Sequence, residues 1–338
     1  MARIAALRPD DVSLEVEWSD GVVSRYPWLW LRDHADGVDR VFAAGIPDAV
    51  RGLGCQLTDD HVGITWDILE PATNVQVALL RAHRAPRVAR VAPDVPVTLW
   101  SGRSLSLPVL AHDVVAHTDA GVREWVRAVA QFGVCRITGV PVTGTAGDAV
   151  LRRLGVEPTG GIHAPGDQVG QRSHTDGTSR SCAPGLYAQQ VLDPADDGGE
   201  CLLVDGFAIA RRMEAEFADE FEVLCEAMVP GVRGSAMAVR PVFRHDHTGR
   251  LVQVTYNESE RGVVLLGERD TLDLYAALRR FDEMANDPDL QFRISLAPGE
   301  ILTVDNWRVL HGRAPGAVGQ RVWVGYVDRD AMEARLRP

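Results

Sequence analysis

The sequence predicts a mainly β protein, in which flanking helices surround a double-stranded β-helix (a jelly-roll barrel) and a small β-rich domain precedes it. Apolar residues at every second position dominate the C-terminal two-thirds of the chain, and helical segments lie between these strands. A Pro- and Arg-rich passage from Pro86 to Pro96 separates the two parts. We therefore expect a small N-terminal domain over 1–95 and a larger domain over 96–338.

The elements follow from local periodicity and turn residues. In the N-terminal part, alternation predicts a hairpin over 12–31 and a strand over 61–66, and helical spacing predicts a helix over 75–83. The Gly-rich section 155–170 predicts a loop able to cover a site. The remaining predictions are strands over 133–140, 186–192, 200–206, 291–296, 298–311 and 321–328, a hairpin over 240–257, and helices over 114–132, 146–154, 207–217 and 271–286.

Two of these helices carry predicted caps. The helix over 114–132 is amphipathic, and Thr118 or Asp119 is expected to cap it. The helix over 271–286 is expected to be capped by Asp270 or Thr271. Its apolar face is predicted to hold Leu272, Tyr275, Leu278, Phe281 and Met284.

Composition excludes several classes of protein. All 35 basic residues are arginine, so the chain has no lysine for a Schiff base or for a P-loop. A net charge of -12 argues against a nucleic-acid partner. The five cysteines are scattered without a C-x-x-C pair, as expected of reduced thiols. Neither a membrane span nor a signal peptide is predicted, so we expect a cytoplasmic protein without a membrane partner.

The chemistry-bearing pattern is His174-Thr-Asp176 together with the distant His311. On a strand, side chains two residues apart share a face, so an imidazole and a carboxylate can converge on one ion. A second histidine from another strand completes a two-histidine, one-carboxylate set that suits Fe(II) and leaves three positions open. A keto acid can fill two of these positions, and dioxygen the third.

Other histidines have simpler explanations. His117-Thr-Asp119 has the same letters, but its Thr and Asp lie where a helix needs a cap, so we reject it as a ligand pair. His245-Asp-His247 lies at a predicted hairpin turn.

An arginine is expected to bind the far carboxylate of the keto acid, because a guanidinium fork matches a carboxylate. Arg321, at the start of the last strand, is the first candidate, and Arg313 is its nearest rival. Candidates for binding an anionic or zwitterionic substrate are Arg172, Arg180, Asn257 and Arg261.

Several motifs resemble one enzyme branch. They are Gly198-Gly-Glu-Cys-Leu-Leu-Val-Asp-Gly206, Pro298-Gly-Glu, Asp305-Asn-Trp-Arg-Val-Leu-His-Gly-Arg313, Tyr326-Val-Asp-Arg-Asp330, and near the N-terminus Trp18-Ser-Asp-Gly and Tyr26-Pro-x-x-Trp-Leu-Arg-Asp. With His174-Thr-Asp176, they resemble the γ-butyrobetaine hydroxylase and trimethyllysine hydroxylase branch of the TauD-like Fe(II)/2-oxoglutarate dioxygenases. The resemblance implies the jelly-roll fold, Fe(II), 2-oxoglutarate and O2, with His174, Asp176 and His311 as the ligands.

The chain departs from that branch at two places. The branch's N-terminal zinc cysteines have no counterpart after His34, so we expect no structural zinc. The branch holds a trimethylammonium group in an aromatic cage. Here Gly155–Ser173 contains no Tyr, Trp or Phe, Gly177 follows the aspartate, and Tyr326 is the remaining cage wall.

These features predict hydroxylation of an unactivated C–H bond in a small polar, amino-acid-like or betaine-like metabolite, with release of succinate and CO2. Desaturation or epimerisation by the same oxidant is an alternative outcome. Alternatives of another class are a zinc-dependent hydrolase and a non-catalytic jelly-roll binding protein. A homodimer is one option that the sequence leaves open.

Overall fold

The chain divides into two compact units, residues 1–91 and 92–338. The computed structural model describes residues 2–36, 50–67, 71–84, 95–163, 170–195, 197–264, 266–316 and 318–337. Most of the predicted boundary passage Pro86–Pro96 and residues 164–169 of the Gly-rich loop lie outside these ranges. No helix within the described ranges is both long and apolar enough to cross a membrane.

The N-terminal unit contains two antiparallel three-stranded sheets, ordered β1-β2-β3 and β4-β5-β6. Its elements are β1 Ile4–Pro9, β2 Ser13–Trp18, β3 Val23–Pro27, α1 Trp28–Asp33, β4 Gly52–Leu57, β5 His61–Trp66, β6 Thr73–Gln76 and α2 Val77–Ala82. The predicted strand 61–66 is confirmed. The predicted hairpin ends earlier than 31, because Trp28 and Leu31 are buried together on one side of α1.

The larger unit begins with a short strand, and strands outnumber helices among its elements. Its helices are α3 His112–His117, α4 Asp119–Phe132, α5 Ala146–Arg152, α6 Gly206–Glu216, α7 Ala218–Glu226, α8 Glu268–Ala285 and α9 Arg329–Leu336. Its strands are β7 Val109–Ala111, β8 Val134–Thr138, β9 Thr159–His163, β10 Gln171–His174, β11 Leu186–Asp193, β12 Cys201–Asp205, β13 Val229–Arg233, β14 Ala236–Arg240, β15 Phe243–His245, β16 Leu251–Val254, β17 Phe292–Ile294, β18 Glu300–Asp305, β19 Val309–Arg313 and β20 Arg321–Val327.

The barrel consists of two sheets that pack face to face, which confirms the predicted jelly-roll. One sheet has six strands in the order β7-β8-β18-β11-β20-β9, and the other has four in the order β10-β19-β12-β17. Apolar residues of both sheets meet in one core, to which Val304 and Val324 contribute from the first sheet and Leu203 and Val309 from the second. Helices α4, α5 and α9 cover the outer face of the six-stranded sheet, and α6, α7 and α8 cover that of the four-stranded sheet.

The predicted strand over 298–311 is wrong in its extent, because this segment forms β18 and β19 in different sheets. Between them, residues 306–308 form a turn, and the side chains of Asn306 and Arg308 are buried. His311 therefore lies within the second strand, not at the end of the first. The turn moves the chain from one wall of the barrel to the other.

Three helical and loop predictions also need correction. The amphipathic helix is interrupted at Thr118, whose side-chain oxygen accepts a hydrogen bond from the Gly121 amide and so caps α4 as predicted. The Gly-rich section is not entirely a loop, since β9 pairs with β20. Helix α8 follows Gly267 without a side-chain cap, so neither Asp270 nor Thr271 caps it.

The apolar face of α8 also differs from the prediction, because Leu272 and Tyr275 are exposed whereas Leu274 and Ala277 are buried. Helix α7 and the hairpin β13-β14 were not predicted.

Candidate metal centre

Two adjacent strands of the four-stranded sheet carry the two histidines. His174 ends β10, His311 lies in β19, and the two residues are direct partners in the antiparallel register. Partners in such a pair project to the same face with their side chains close together. Their ring centroids are accordingly 4.6 Å apart. The neighbours of His311 show which face this is, because Val309 belongs to the barrel core and Leu310 faces α6 and α8.

Asp176 does not lie on a strand as the sequence suggested, since β10 ends at His174. A buried asparagine in the β18–β19 turn holds it instead. The Asn306 side chain accepts a hydrogen bond from the Asp176 amide at 2.8 Å and donates one to the Asp176 carbonyl at 3.0 Å. The turn before β19 thus positions the carboxylate, and β19 itself positions a histidine.

The ligand atoms of His174, Asp176 and His311 all lie within 4.8 Å of one another. Among the described residues, this is the group of three or more His, Cys, Asp or Glu side chains that could hold a metal ion. The Nε2 atom of His174 lies 3.4 Å from one Asp176 oxygen, and that of His311 lies 3.2 Å from the other. The donor set fits Fe(II), which two imidazoles and one carboxylate bind on one side.

Contacts outside the triad fix how the histidines present themselves. The Nδ1 atom of His174 is 2.9 Å from the Arg172 carbonyl, so Nδ1 carries the proton and donates it to that carbonyl. The lone pair of Nε2 is then free to bind a metal. The His311 ring stacks on Tyr187 with centroids 4.2 Å apart and planes at 13°. Both imidazoles are thereby held with Nε2 facing Asp176.

Burial and mutual charge set the protonation of the triad. Burial alone would raise the pKa of Asp176, but the charges and hydrogen bonds of His311 and His174 lower it well below its usual range. Burial lowers the pKa of His311, and Asp176 only partly opposes this. Burial also acts to lower the pKa of His174, but Asp176 and the Arg172 carbonyl outweigh the effect of burial, and the pKa of His174 is raised. The carboxylate is therefore ionised and ready to bind a cation.

Tyr326 contacts the triad itself. Its hydroxyl donates to an Asp176 carboxylate oxygen at 2.8 Å. Burial and the Asp176 charge raise the pKa of Tyr326 far above its usual value, so the phenol stays protonated as a donor. The structure brings Tyr326 to the carboxylate, where it can orient Asp176 as well as line the substrate space.

The structure does not bring Arg321 to the triad. Side chains alternate along β20, and Tyr326, Val324 and Val322 belong to the barrel core whereas Trp323 packs outside against α4 and α5. Arg321 lies two residues before Trp323 on the same strand, so its side chain is on the same, outward side. It is half exposed, and its Nε lies 2.7 Å from an Asp193 carboxylate oxygen.

Arg313 lies on the inward-facing side of its strand, as expected of an arginine that lines the barrel. It lies two residues after His311 on β19, opposite the core residue Cys201. Burial raises the pKa of Cys201 to about 12, and the positive charge of Arg313 opposes that rise. The same charge acts on the buried Tyr187. Arg313 therefore places a cation inside the barrel beside the ring that stacks on His311.

The four other substrate candidates lie at three places. Arg172 forms an ion pair with Asp282 and lines a cleft of about 560 Å³ beside α8 that includes none of the triad. Asn257 and Arg261 line a small cavity of about 20 Å³ together with Thr178. Arg180 is exposed, and its carbonyl accepts a hydrogen bond from Arg240.

Local pattern alone did not reveal the buried ion pair of Arg308 and Asp205. The Arg308 side chain donates from Nε and Nη2 to the two Asp205 oxygens, at 3.0 and 2.7 Å. It also donates to the carbonyls of Thr98 and Gln131. Both residues belong to the quoted motifs, so their signal was present in the sequence without an assigned role. The pair anchors the turn that presents Asn306.

A jelly-roll whose inner wall carries two histidines and one carboxylate defines the class of mononuclear non-haem iron oxygenases. Comparison with known proteins places the chain within that class. Residues 101–326 match the Taurine catabolism dioxygenase TauD, TfdA family, and the chain belongs to this family. It is an Fe(II)- and 2-oxoglutarate-dependent dioxygenase.

Similar proteins match over almost the whole chain. It is 29% identical over 355 residues to the gamma-butyrobetaine dioxygenase of Pseudomonas sp. (strain AK-1), covering 96% of this chain and 92% of the relative. It is 25% identical over 372 residues to the trimethyllysine dioxygenase of Meyerozyma guilliermondii, covering 97% and 93%. A taurine dioxygenase structure from Burkholderia xenovorans shares the fold at a TM-score of 0.51 and 16% identity, covering 70% of this chain and 91% of that one.

Proposed function

We propose that the enzyme hydroxylates an unactivated C–H bond of a small polar, amino-acid-like or betaine-like metabolite, with His174, Asp176 and His311 as the iron ligands. The observation that carries the proposal is the convergence of these three donor groups within 4.8 Å on the inner wall of the barrel. The substrates named for the relatives, trimethyllysine and γ-butyrobetaine, support the substrate class.

When bound, Fe(II) with 2-oxoglutarate and dioxygen supplies the oxidant, and succinate and CO2 are released. The chain's own residues orient and protect that chemistry. Asn306 fixes the Asp176 backbone, and the Tyr326 hydroxyl holds one oxygen of the carboxylate. The Tyr187 ring and the apolar core beside it keep water away from His311. Desaturation and epimerisation stay open as alternative outcomes because they would need the same residues.

We assign the far carboxylate of 2-oxoglutarate to Arg313, because it shares the inward face of β19 with His311. Arg321 lies on the outward face of its strand, and its side chain is half exposed. The Arg313 guanidinium is half-buried, so solvent screens it less than an exposed guanidinium and it binds a carboxylate more strongly.

The N-terminal part, 1–95, is proposed to correspond to the small domain that precedes the dioxygenase domain in the branch, without its zinc. A homodimer and a cytoplasmic location stay predictions.

Anaerobic spectroscopy tests the proposed function. Protein reconstituted with Fe(II) and 2-oxoglutarate is expected to develop a weak visible charge-transfer band, and His174→Ala is expected to abolish it. The matched control is His117→Ala, which removes the histidine of the other His-x-Asp sequence. If the wild-type protein shows no band, or if the two variants behave alike, the assignment of the site is wrong. Succinate release with a panel of amino acids and betaines then identifies substrates.

A further inference from the structure

Glu260 is a largely buried residue whose carboxylate has no role in the metal centre described above. It ends the short 3-10 helix Glu258–Glu260, and its side chain is 12% exposed. The Thr178 hydroxyl donates to one of its oxygens at 2.7 Å. Arg233 lies 3.6 Å from the other oxygen, and its side chain is 78% exposed. That distance exceeds a hydrogen bond, so Arg233 is a weak partner.

Glu260 lies beside the metal centre. Thr178, its hydrogen-bond donor, follows Asp176 by two residues, which keeps their Cα atoms within about 7 Å. The Glu260 carboxylate lies close enough for its negative charge to act on both His174 and Tyr326. The Glu260 carboxylate therefore lies near the Tyr326 hydroxyl, which itself donates a hydrogen bond to Asp176.

A carboxylate at this place favours a cation that carries N–H groups. A charged hydrogen bond from an ammonium to a carboxylate is short and strong. A quaternary ammonium has no N–H to donate and is held by aromatic faces instead. The chain has Gly177 directly after Asp176 and has no aromatic residue in Gly155–Ser173. These stretches therefore offer no aromatic surface to a quaternary ammonium, whereas Glu260 offers an anion to a group that carries N–H.

We propose that Glu260 binds a primary or secondary ammonium group of the substrate, and that this enzyme prefers free amines over trimethylated ones. The inference rests on the proposed function and narrows its substrate class. It separates the chain from its relatives, whose named substrates carry trimethylammonium groups. The substrate amine would take the place beside Glu260 that Arg233 reaches only weakly.

The experiment compares matched pairs of ligands that differ in amine methylation. The probes are L-lysine against Nε-trimethyllysine, and 4-aminobutyrate against γ-butyrobetaine. Each is titrated anaerobically into protein loaded with Fe(II) and 2-oxoglutarate, and the shift of the charge-transfer band reports binding without turnover. We expect at least one free amine to bind about 10-fold or more tightly than its trimethylated partner.

Variants separate Glu260 from a general charge effect. Glu260→Gln is expected to remove the preference for the free amine while the band itself remains. Glu258→Gln is the matched control, because Glu258 lies in the same 3-10 helix but pairs with Arg261. Arg233→Gln is expected to keep the preference.

Four outcomes overturn the inference. Trimethylated ligands bind as well as or better than free amines, no free amine of the panel binds, Glu260→Gln keeps the preference, or Glu258→Gln loses it equally. If Glu260→Gln does not fold, the comparison of free and trimethylated ligands on the wild-type protein decides whether free amines are preferred. A wild-type protein without a band would instead refute the proposed function, before any amine is added.

Discussion

Replacing Arg313 by glutamine should weaken 2-oxoglutarate binding far more than the same change at Arg321. A hydrogen bond to a charged group contributes about 1.5–3 kcal/mol. Loss of one such bond to the far carboxylate corresponds to about a 10- to 150-fold rise in Kd. Arg313→Gln should fall in this range because the residue lines the barrel opposite Cys201.

Arg321→Gln should have a small effect. The Arg321 and Asp193 side chains are 52% and 54% exposed, and solvent screens such a pair. Exposed ion pairs contribute about 0.2–1 kcal/mol, so we expect less than about a 5-fold change in Kd even if the pair contributes indirectly.

Anaerobic titration of Fe(II)-loaded protein with 2-oxoglutarate measures both Kd values through the charge-transfer band. Saturation of the band at high 2-oxoglutarate shows that the variant's metal site is intact. Steady-state succinate release gives the matching KM. A larger effect at Arg321 than at Arg313 would refute the argument from strand parity and return the role to Arg321.

Three further predictions concern the support of the site. Arg308→Met leaves the buried Asp205 without its cation, so the free energy of unfolding should fall by about 3–5 kcal/mol. In a thermal melt this corresponds to a Tm drop of about 6–20 °C. A Tm drop no larger than that of Arg211→Gln, a change at an exposed arginine, would contradict this prediction. Asn306→Ala frees the Asp176 backbone and should weaken Fe(II) affinity about 10- to 100-fold, measured by competition with a chelator. An unchanged Fe(II) affinity would show that Asn306 does not position the carboxylate. Free Fe(II) at 100 times its Kd should stabilise the protein by about 2.7 kcal/mol, and chelation should reverse the rise in Tm; an unchanged Tm would contradict metal binding to the folded chain.

The triad could be predicted because its chemistry is visible in the letters. His174 and Asp176 are close in sequence, and His311 lies in a motif whose neighbours are specific. The strand boundaries around His311 could not be predicted. Asn306 and Arg308 continue the alternation of β18, and only distant partners, Asp176 and Asp205, explain why such polar side chains are buried at a turn.

The difference between Arg313 and Arg321 depends on parity, which local sequence does not reveal. A shift of one residue in strand phase moves a side chain from the inside of a barrel to the outside. Arg321 immediately precedes Val322, a core residue, so spacing alone places it close to the interior. Glu260 was missed for a related reason, because its relation to Asp176 passes through a hydrogen bond from Thr178.

The separation of the ligands along the chain has a consequence for when iron can be acquired. Asp176 and His311 are 135 residues apart, so their convergence requires closure of a long loop. In an unfolded chain the His174-Thr-Asp176 segment has no third ligand beside it, so it binds a metal weakly compared with the folded site. During synthesis the third ligand emerges late, and the strand that carries it must pair with β10 before the site exists. Metallation therefore follows folding of the C-terminal strands, and iron cannot nucleate the barrel that holds it.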